Sequence, residues 1–306
     1  MKETILALFN PQNEFFQLTN DSKRITHIAL SSFIMPVLFV FIAAALTQFV
    51  FAPLYFGDPT QASHTARELF GLFVMFGTSV VAIFLWVRFF EGRPFYTIGF
   101  TKTGALKKYL FGFATGLLMN SAVVGIMALF GCIEIGVDSS ATIGIGAIGG
   151  VTIFFFGFLI QGASEEILAR GWMFQVIGAR YQPWIGVLIT SVFFALLHLG
   201  NSGINPFAVL NLFLFATLMC LYVMKDGNIW AACAWHSSWN WVMGNVFGLS
   251  VSGTGEKVSL FNLNTTGNEL ITGGGFGPEG SLVTSIVLLV AIVLVGMVIL
   301  KRKRSY

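Results

Sequence analysis

The sequence contains very little charge. Only 10% of its 306 residues are Asp, Glu, Lys or Arg, whereas 56% are hydrophobic, and the mean hydropathy is +0.80. A soluble domain carries roughly 25% charged residues, so this composition excludes an ordinary soluble protein. It indicates a polytopic membrane protein with one integral domain and no soluble one. The net charge of +3 is too small to indicate a nucleic-acid partner.

Cysteine is scarce as well. Cys132, Cys220 and Cys233 show no metal-ligand spacing, and two of them fall inside apolar stretches, which argues against a disulfide framework and against a cysteine-based zinc site. The chain shows no internal repeat, so a transporter built from inverted repeats has no positive support. We expect no cleaved targeting segment, because the first apolar run is too long for a signal-peptide core.

Apolar runs follow one another along most of the chain, and nearly all are long enough to cross a bilayer as a helix of ~20 residues. They predict an all-α fold: a polytopic membrane helix bundle with about eight transmembrane helices. Residues 1–27 are expected to form a cytoplasmic, interfacial segment, and 28–306 the integral membrane domain. The predicted spans lie near 28–52, 69–90, 108–131, 148–176, 183–199, 206–224, 228–248 and 281–300.

The basic residues are distributed unequally between the two sides of this predicted bundle. All but two of the 17 Lys and Arg residues fall on the side that carries both termini, the exceptions being Arg67 and Lys257. Lys and Arg mark the cytoplasmic face, so we expect both termini in the cytoplasm. Residues 249–280 then lie outside. This segment is rich in Gly, Ser, Thr and Asn, and is expected to be either a floppy loop or a cap on the bundle.

The most polar stretch within the spans runs from Gly162 to Arg170. Ionisable groups at membrane depth mark a functional site by default. Glu166 and Arg170 are four residues apart and are predicted to form a pair on one helix face. Glu165 is turned ~100° away from Glu166, which leaves it free for chemistry.

Other polar residues are expected to meet Glu165. Glu165 and His198 both lie ~22–24 Å along antiparallel helices from the turn near Pro183, so their depths match. His236 lies ~12 Å above the turn that ends at Asn228, and Asn240 shares its helix face. A single His in a membrane helix, or a single Glu–Arg pair, is often structural; together these groups favour a site. His27 and His64 are expected outside the spans.

Three motifs summarise this constellation: E-E-x-x-x-R at 165–170, F-x-x-x-H at 194–198 and H-x-x-x-N at 236–240. In this order they resemble the CaaX-protease and bacteriocin-processing family of intramembrane proteases, which includes the eukaryotic prenyl-protein CaaX endopeptidase. The motif core covers about 150–250. Residues 93–100 also resemble a cytoplasmic segment that is common upstream in the family.

The resemblance implies hydrolysis of a peptide bond inside the membrane, in a chamber open toward the cytoplasm. The implied partners are a peptide or lipidated protein substrate, prenylated or bacteriocin-like, and membrane lipid. The implied location is the bacterial plasma membrane. By the same resemblance Glu165 activates water with the help of His198, while His236 and Asn240 stabilise the oxyanion. Such members act in peptide maturation, bacteriocin immunity or membrane-protein turnover.

The use of a metal and two other functions stay open. Glu165, His198 and His236 also form a possible zinc ligand set, although the sequence contains no H-E-x-x-H motif. We favour the metal-free mechanism. The alternatives to a protease are a proton-coupled transporter that uses Glu165 and His198 as a relay, and a non-catalytic membrane immunity or scaffold protein.

Overall fold

The computed structural model describes residues 8–58, 63–136, 141–255 and 257–303. Eight longer helices in this part of the chain form a polytopic bundle, as predicted. The helices are α1 Leu30–Phe56, α2 His64–Phe90, α3 Ala105–Leu129, α4 Gly144–Arg180, α5 Pro183–Leu197, α6 Pro206–Asp226, α7 Trp230–Trp241 with its continuation Val242–Val246, and α8 Leu282–Lys303. All except α5 and α7 are long and apolar enough to cross a membrane.

Short elements fill the connections, and among them are strands that the sequence did not predict. The strands are β1 Ile133–Ile135, β2 Thr142–Ile143, β3 Val258–Ser259 and β4 Leu263–Thr265. Strand β1 pairs with β4 in antiparallel fashion, and β2 pairs with β3 in parallel. The short helical turns are Glu14–Gln17, Leu18–Asp21, Phe95–Ile98, Glu269–Thr272, Gly274–Phe276 and Pro278–Gly280.

Helix α2 starts earlier than the hydropathy pattern predicted. Ser63 caps its first turn by accepting a hydrogen bond from the Ala66 amide, and such a cap satisfies an amide that has no partner within the helix. His64, expected outside the spans, is therefore the first residue of the helix. Glu68 also lies within the helix, one turn further on.

Helix α7 occupies the centre of the bundle, which explains its polar composition. Every residue from Ala231 to Asn240 is buried. A Cβ atom at Gly162 of α4 would lie only 2.6 Å from Ser237 Oγ, and one at Gly116 of α3 would overlap Ser238 Oγ. Glycines thus allow α3 and α4 to approach α7 closely from two sides. Its polar side chains are consequently shielded from lipid.

The connection from α7 to α8 caps the bundle, which is the second of the two alternatives expected from the sequence. Phe276 is completely buried. Asn211 of α6 donates hydrogen bonds to the carbonyl oxygens of Glu279 and Ser281, both at 2.7 Å. Asn201 donates one to Ser252 O at 2.8 Å. Side-chain amides of the bundle thereby satisfy backbone carbonyls that would otherwise lack partners.

The opposite end of the bundle is closed by the N-terminal segment and a buried ion pair. Glu91 accepts hydrogen bonds from Arg93 Nε at 2.8 Å, Thr26 Oγ1 at 2.6 Å and Trp172 Nε1 at 3.0 Å. Arg93 also donates to Gln175 Oε1 at 2.6 Å. Burial lowers the pKa of Arg93, and Glu91 opposes that shift. The ion pair thus ties residues preceding α1 to the end of α2 and to α4.

The segment predicted to be interfacial therefore packs partly into the protein. Phe15 and Phe16 are buried, and both rings contact Phe174 of α4, with centroid distances of 6.1 and 5.2 Å. Residues 1–7 of the predicted segment lie outside the described residues. The three cysteines are free and buried.

We predict that Glu91→Gln destabilises the fold by about 3–5 kcal/mol, because it leaves the Arg93 guanidinium buried without an anion. Thermal unfolding of the purified protein in detergent measures the effect. Glu134→Gln is the matched control, since Glu134 is an exposed residue of β1. Equal unfolding temperatures for the two variants would contradict the role of the ion pair.

Candidate active site

The Glu166 carboxylate lies at the centre of the site. It is fully buried, and its Oε1 accepts hydrogen bonds from Arg170 Nη1 and from His236 Nδ1, each at 2.9 Å. The predicted pair with Arg170 is therefore present. A carboxylate only accepts hydrogen bonds, so Nδ1 of His236 carries a proton. Its Nε2 has a lone pair only when the ring is neutral. Glu166 thus sets the orientation and tautomer of His236 as well as compensating Arg170.

The neighbouring Glu165 carboxylate is held differently. Its Oε1 accepts a hydrogen bond from Gln161 Nε2 at 2.6 Å. Its Oε2 is buried and has no hydrogen-bond partner in the described part of the chain; it lies 3.7 Å from His236 Nε2. One oxygen of Glu165 is therefore fixed, and the other is free to accept a proton.

His198 lies where α5 ends and is positioned by the helix itself. Its Nδ1 lies 2.8 Å from the carbonyl oxygen of Phe194, one turn earlier. Because a carbonyl accepts hydrogen bonds, Nδ1 carries a proton, and Nε2 is an acceptor whenever the ring is neutral. The F-x-x-x-H spacing therefore fixes the tautomer of this imidazole through the backbone.

Two phenylalanines hold the charged and the titratable groups together. The Arg170 guanidinium carbon lies 4.7 Å from the ring centroid of Phe194 and 5.3 Å from that of Phe215. The ring of Phe215 also packs edge-on against His236, at 4.8 Å. Cation–π contacts of this kind are strongest when they are desolvated. Both rings therefore help to keep Arg170 in place below the two carboxylates.

A cavity of about 270 Å³ brings the four predicted catalytic residues to one surface: Glu165, His198, His236 and Asn240. Its walls come from the beginnings of α2, α6 and α8, the end of α5 and the middle of α4 and α7. The cap contributes Ser252 and Glu279. The cavity thus extends toward the end of the bundle that carries few basic residues. The resemblance instead implied a chamber open toward the opposite end, which carries most of the basic residues and was predicted to be cytoplasmic.

The lining of the cavity is acidic. It includes the carboxyl groups of Glu68, Glu165 and Glu279, and among the described lining residues there is no Lys or Arg. Glu279 is fixed by Trp239 Nε1 at 2.9 Å and by the amide of Ser252 at 2.6 Å. Three acidic residues and no described Lys or Arg line the walls, so an anionic group is disfavoured inside.

The zinc set considered from the sequence does not fit the side chains. Three donors that share a zinc ion at ~2.0–2.2 Å must converge on one point. In the described residues no group of three His, Cys, Asp or Glu side chains is arranged to hold a metal.

Three further residues of the site were not indicated by the motifs. Gln161 contacts both Glu165 and Asn240, and Glu68 and Glu279 line the cavity. Gln161 could have been found as a lone amide one helical turn before Glu165, after a run of phenylalanines. No comparable signal marks the other two, since one lies at a helix start and one in a connection.

Comparison with known proteins finds a family match for the part of the chain that holds the site. Residues 147–242 match the family described as type II CAAX prenyl endopeptidase Rce1-like. All three motifs fall within the matched residues, and the match confirms the resemblance predicted from them. No curated protein and no solved structure matches the chain.

We predict that replacing Glu by Gln has different effects on the stability of the fold at two adjacent positions. Glu166→Gln leaves the buried Arg170 without its anion, and should cost about 3–5 kcal/mol of stability. Glu165→Gln removes a carboxylate whose Oε2 has no partner, and should change the unfolding temperature little. Thermal unfolding in detergent compares the two variants directly. A larger loss for Glu165→Gln would contradict the assignment of Glu166 as the structural carboxylate.

Proposed function

Since residues 147–242 match the Rce1-like endopeptidases and hold the whole polar constellation, we propose that the protein is an intramembrane endopeptidase that hydrolyses a peptide bond with water activated by Glu165. One observation carries the proposal. The Glu165 carboxylate, whose Oε2 has no hydrogen-bond partner among the described residues, belongs to a residue that lines a cavity together with two histidines and an asparagine. Amide hydrolysis needs a base for the water and donors for the developing oxyanion.

Glu165 is the general base of this mechanism. Its Oε2 removes a proton from the water as the oxygen attacks the carbonyl carbon of the substrate. The protonated carboxyl then gives this proton to the nitrogen of the leaving amine as the C–N bond breaks. His198 assists, because its Nε2 has a lone pair that can accept a hydrogen bond from the same water and orient it.

Asn240 is the donor best suited to the oxyanion. Its Nδ2 donates one hydrogen to Gln161 Oε1 at 2.9 Å, and the second hydrogen of the group remains for a ligand. His236 has its proton on Nδ1, toward Glu166. Its Nε2 therefore becomes a donor only when the ring is protonated. Removing one oxyanion donor typically costs ~10²–10³ in rate.

The acidic lining bears on the substrate. A peptide that is cleaved near its C-terminus brings a free carboxylate close to Glu68 and Glu279, and we infer that this is unfavourable. An uncharged or cationic segment around the scissile bond fits the cavity better. A prenylated or bacteriocin-like substrate, and roles in maturation or immunity, remain predictions.

The orientation in the membrane is proposed from charge alone. With both termini in the cytoplasm, the capped end of the cavity lies on the outer side. The reason is that the cap connects the end of α7 to the start of α8, and both lie at the end of the bundle away from most of the basic residues. Substrate segments at that depth would come from the membrane itself or from its outer side.

We predict that purified protein in proteoliposomes cleaves members of a fluorogenic peptide library, with and without a prenylated cysteine. Glu165→Gln should abolish cleavage, and Asn240→Ala should lower kcat by ~10²–10³. Activity should survive prolonged chelation. Glu134→Gln serves as the control for the same chemical change at an exposed site. Near wild-type turnover of Glu165→Gln would refute the base, and recovery only with added zinc would refute the metal-free mechanism.

We predict further that a peptide with an amidated C-terminus is cleaved at least about tenfold faster, in kcat/KM, than its free-acid counterpart when the scissile bond lies near the end. Glu68→Gln should reduce this ratio, since it removes one wall charge. Equal rates for both peptides in the wild type would show that the lining does not select against carboxylates.

A further inference from the structure

We propose that Gln161 is a positioning residue of the active site, which links the general base to the oxyanion donor; this inference rests on the proposed function. Gln161 is 7% exposed and lines the cavity. Its Nε2 donates to Glu165 Oε1 at 2.6 Å, and its Oε1 accepts from Asn240 Nδ2 at 2.9 Å. The two residues that it joins lie on different helices, α4 and α7.

The amide of Gln161 has the right chemistry for this position. The Glu165 carboxylate can only accept hydrogen bonds, and the Asn240 NH₂ group can only donate them. A bridge between them must therefore offer a donor at one end and an acceptor at the other. The carboxamide of Gln161 does so without changing its protonation state. Burying this amide without both bonds would cost free energy, so its two partners also hold it in one orientation.

The bond to Glu165 makes the two oxygens of the carboxylate inequivalent. Oε1 is engaged by Gln161, whereas Oε2 has no partner in the described chain. Rotation of the carboxylate would break the 2.6 Å bond. Gln161 thus holds the carboxylate in one orientation before any substrate enters, and leaves Oε2 as the oxygen that takes the proton from the water.

The bond to Asn240 fixes the other half of the machinery. With one Nδ2 hydrogen on Gln161, the plane of the Asn240 amide is set, and so is the direction of the remaining hydrogen. The base and the oxyanion donor are thereby held at a constant separation. Donors that need no reorientation during the reaction provide most of their stabilisation to the transition state, so losing the bridge should lower kcat more than it changes KM.

A merely structural role for Gln161, as a contact between α4 and α7, makes different predictions. It would lower stability and the amount of folded enzyme, and would leave the kinetic constants of the folded fraction unchanged. It would also act independently of Asn240. Residues that act as one unit show strongly non-additive effects instead.

The test uses Gln161→Met, which keeps the length of the side chain, is suited to a membrane helix and removes both hydrogen bonds. We expect kcat to fall by ~10–100-fold with little change in KM, because small misplacements of reacting groups can cost ~10²-fold. The variant Gln161→Met/Asn240→Ala should be little slower than Asn240→Ala alone. Gln48→Met is the matched control, since Gln48 lies exposed on α1.

An unchanged kcat in Gln161→Met would overturn the inference, and so would a double variant in which the effects of the two single substitutions on kcat multiply. Glu165→Gln tests the proposed function separately. A spectroscopic measurement covers the case in which no cleavage is found. In ¹⁵N-glutamine-labelled protein, the Gln161 side-chain amide proton should resonate downfield and lose this shift in Glu165→Ala. Absence of any change would show that the bond to Glu165 is not formed.

Discussion

A single buried carboxylate, that of Glu166, determines how the centre of this protein is arranged. It compensates Arg170 on its own helix and orients His236 on α7, through the same oxygen. A buried ion is tolerated only when its partners surround it, so the two helices cannot separate without exposing charge to an apolar interior. This constraint determines the geometry of the reactive groups. Glu166 fixes which nitrogen of His236 carries the proton, and Glu165, the preceding residue, lines the cavity.

Close helix contact makes this arrangement possible. Gly162 precedes the carboxylates on α4 and faces Ser237, the neighbour of His236. The missing side chain lets the two backbones approach, which brings Glu166 of one helix within hydrogen-bonding distance of the His236 imidazole of another. Packing and chemistry therefore depend on the same few residues. The division between Glu165 and Glu166 follows from the ~100° rotation between successive helical positions.

Features set by local periodicity could be predicted from the sequence, and those set by contacts between helices could not. The Glu166–Arg170 pair and the positions of the helices follow from spacing and hydropathy. Gln161, the tautomer of His198 and the share of Glu166 in holding His236 depend on neighbours in space. The cap was predicted only as an alternative to a floppy loop, because its order comes from the amides of Asn201, Asn205 and Asn211. Charge counting, which compares only the two faces, carries no information on where the cavity extends.

The shortness of α5 has a consequence for the surrounding lipid. Its 15 residues measure ~22 Å, compared with a hydrocarbon layer of ~30 Å. The helix stops at His198, and the polar stretch after it, with Asn201 and Asn205, begins at a level where acyl chains would otherwise lie. A bilayer adapts to such a mismatch by becoming locally thinner. Hydration of the catalytic centre would then be a property shared by the protein and the deformed membrane around it.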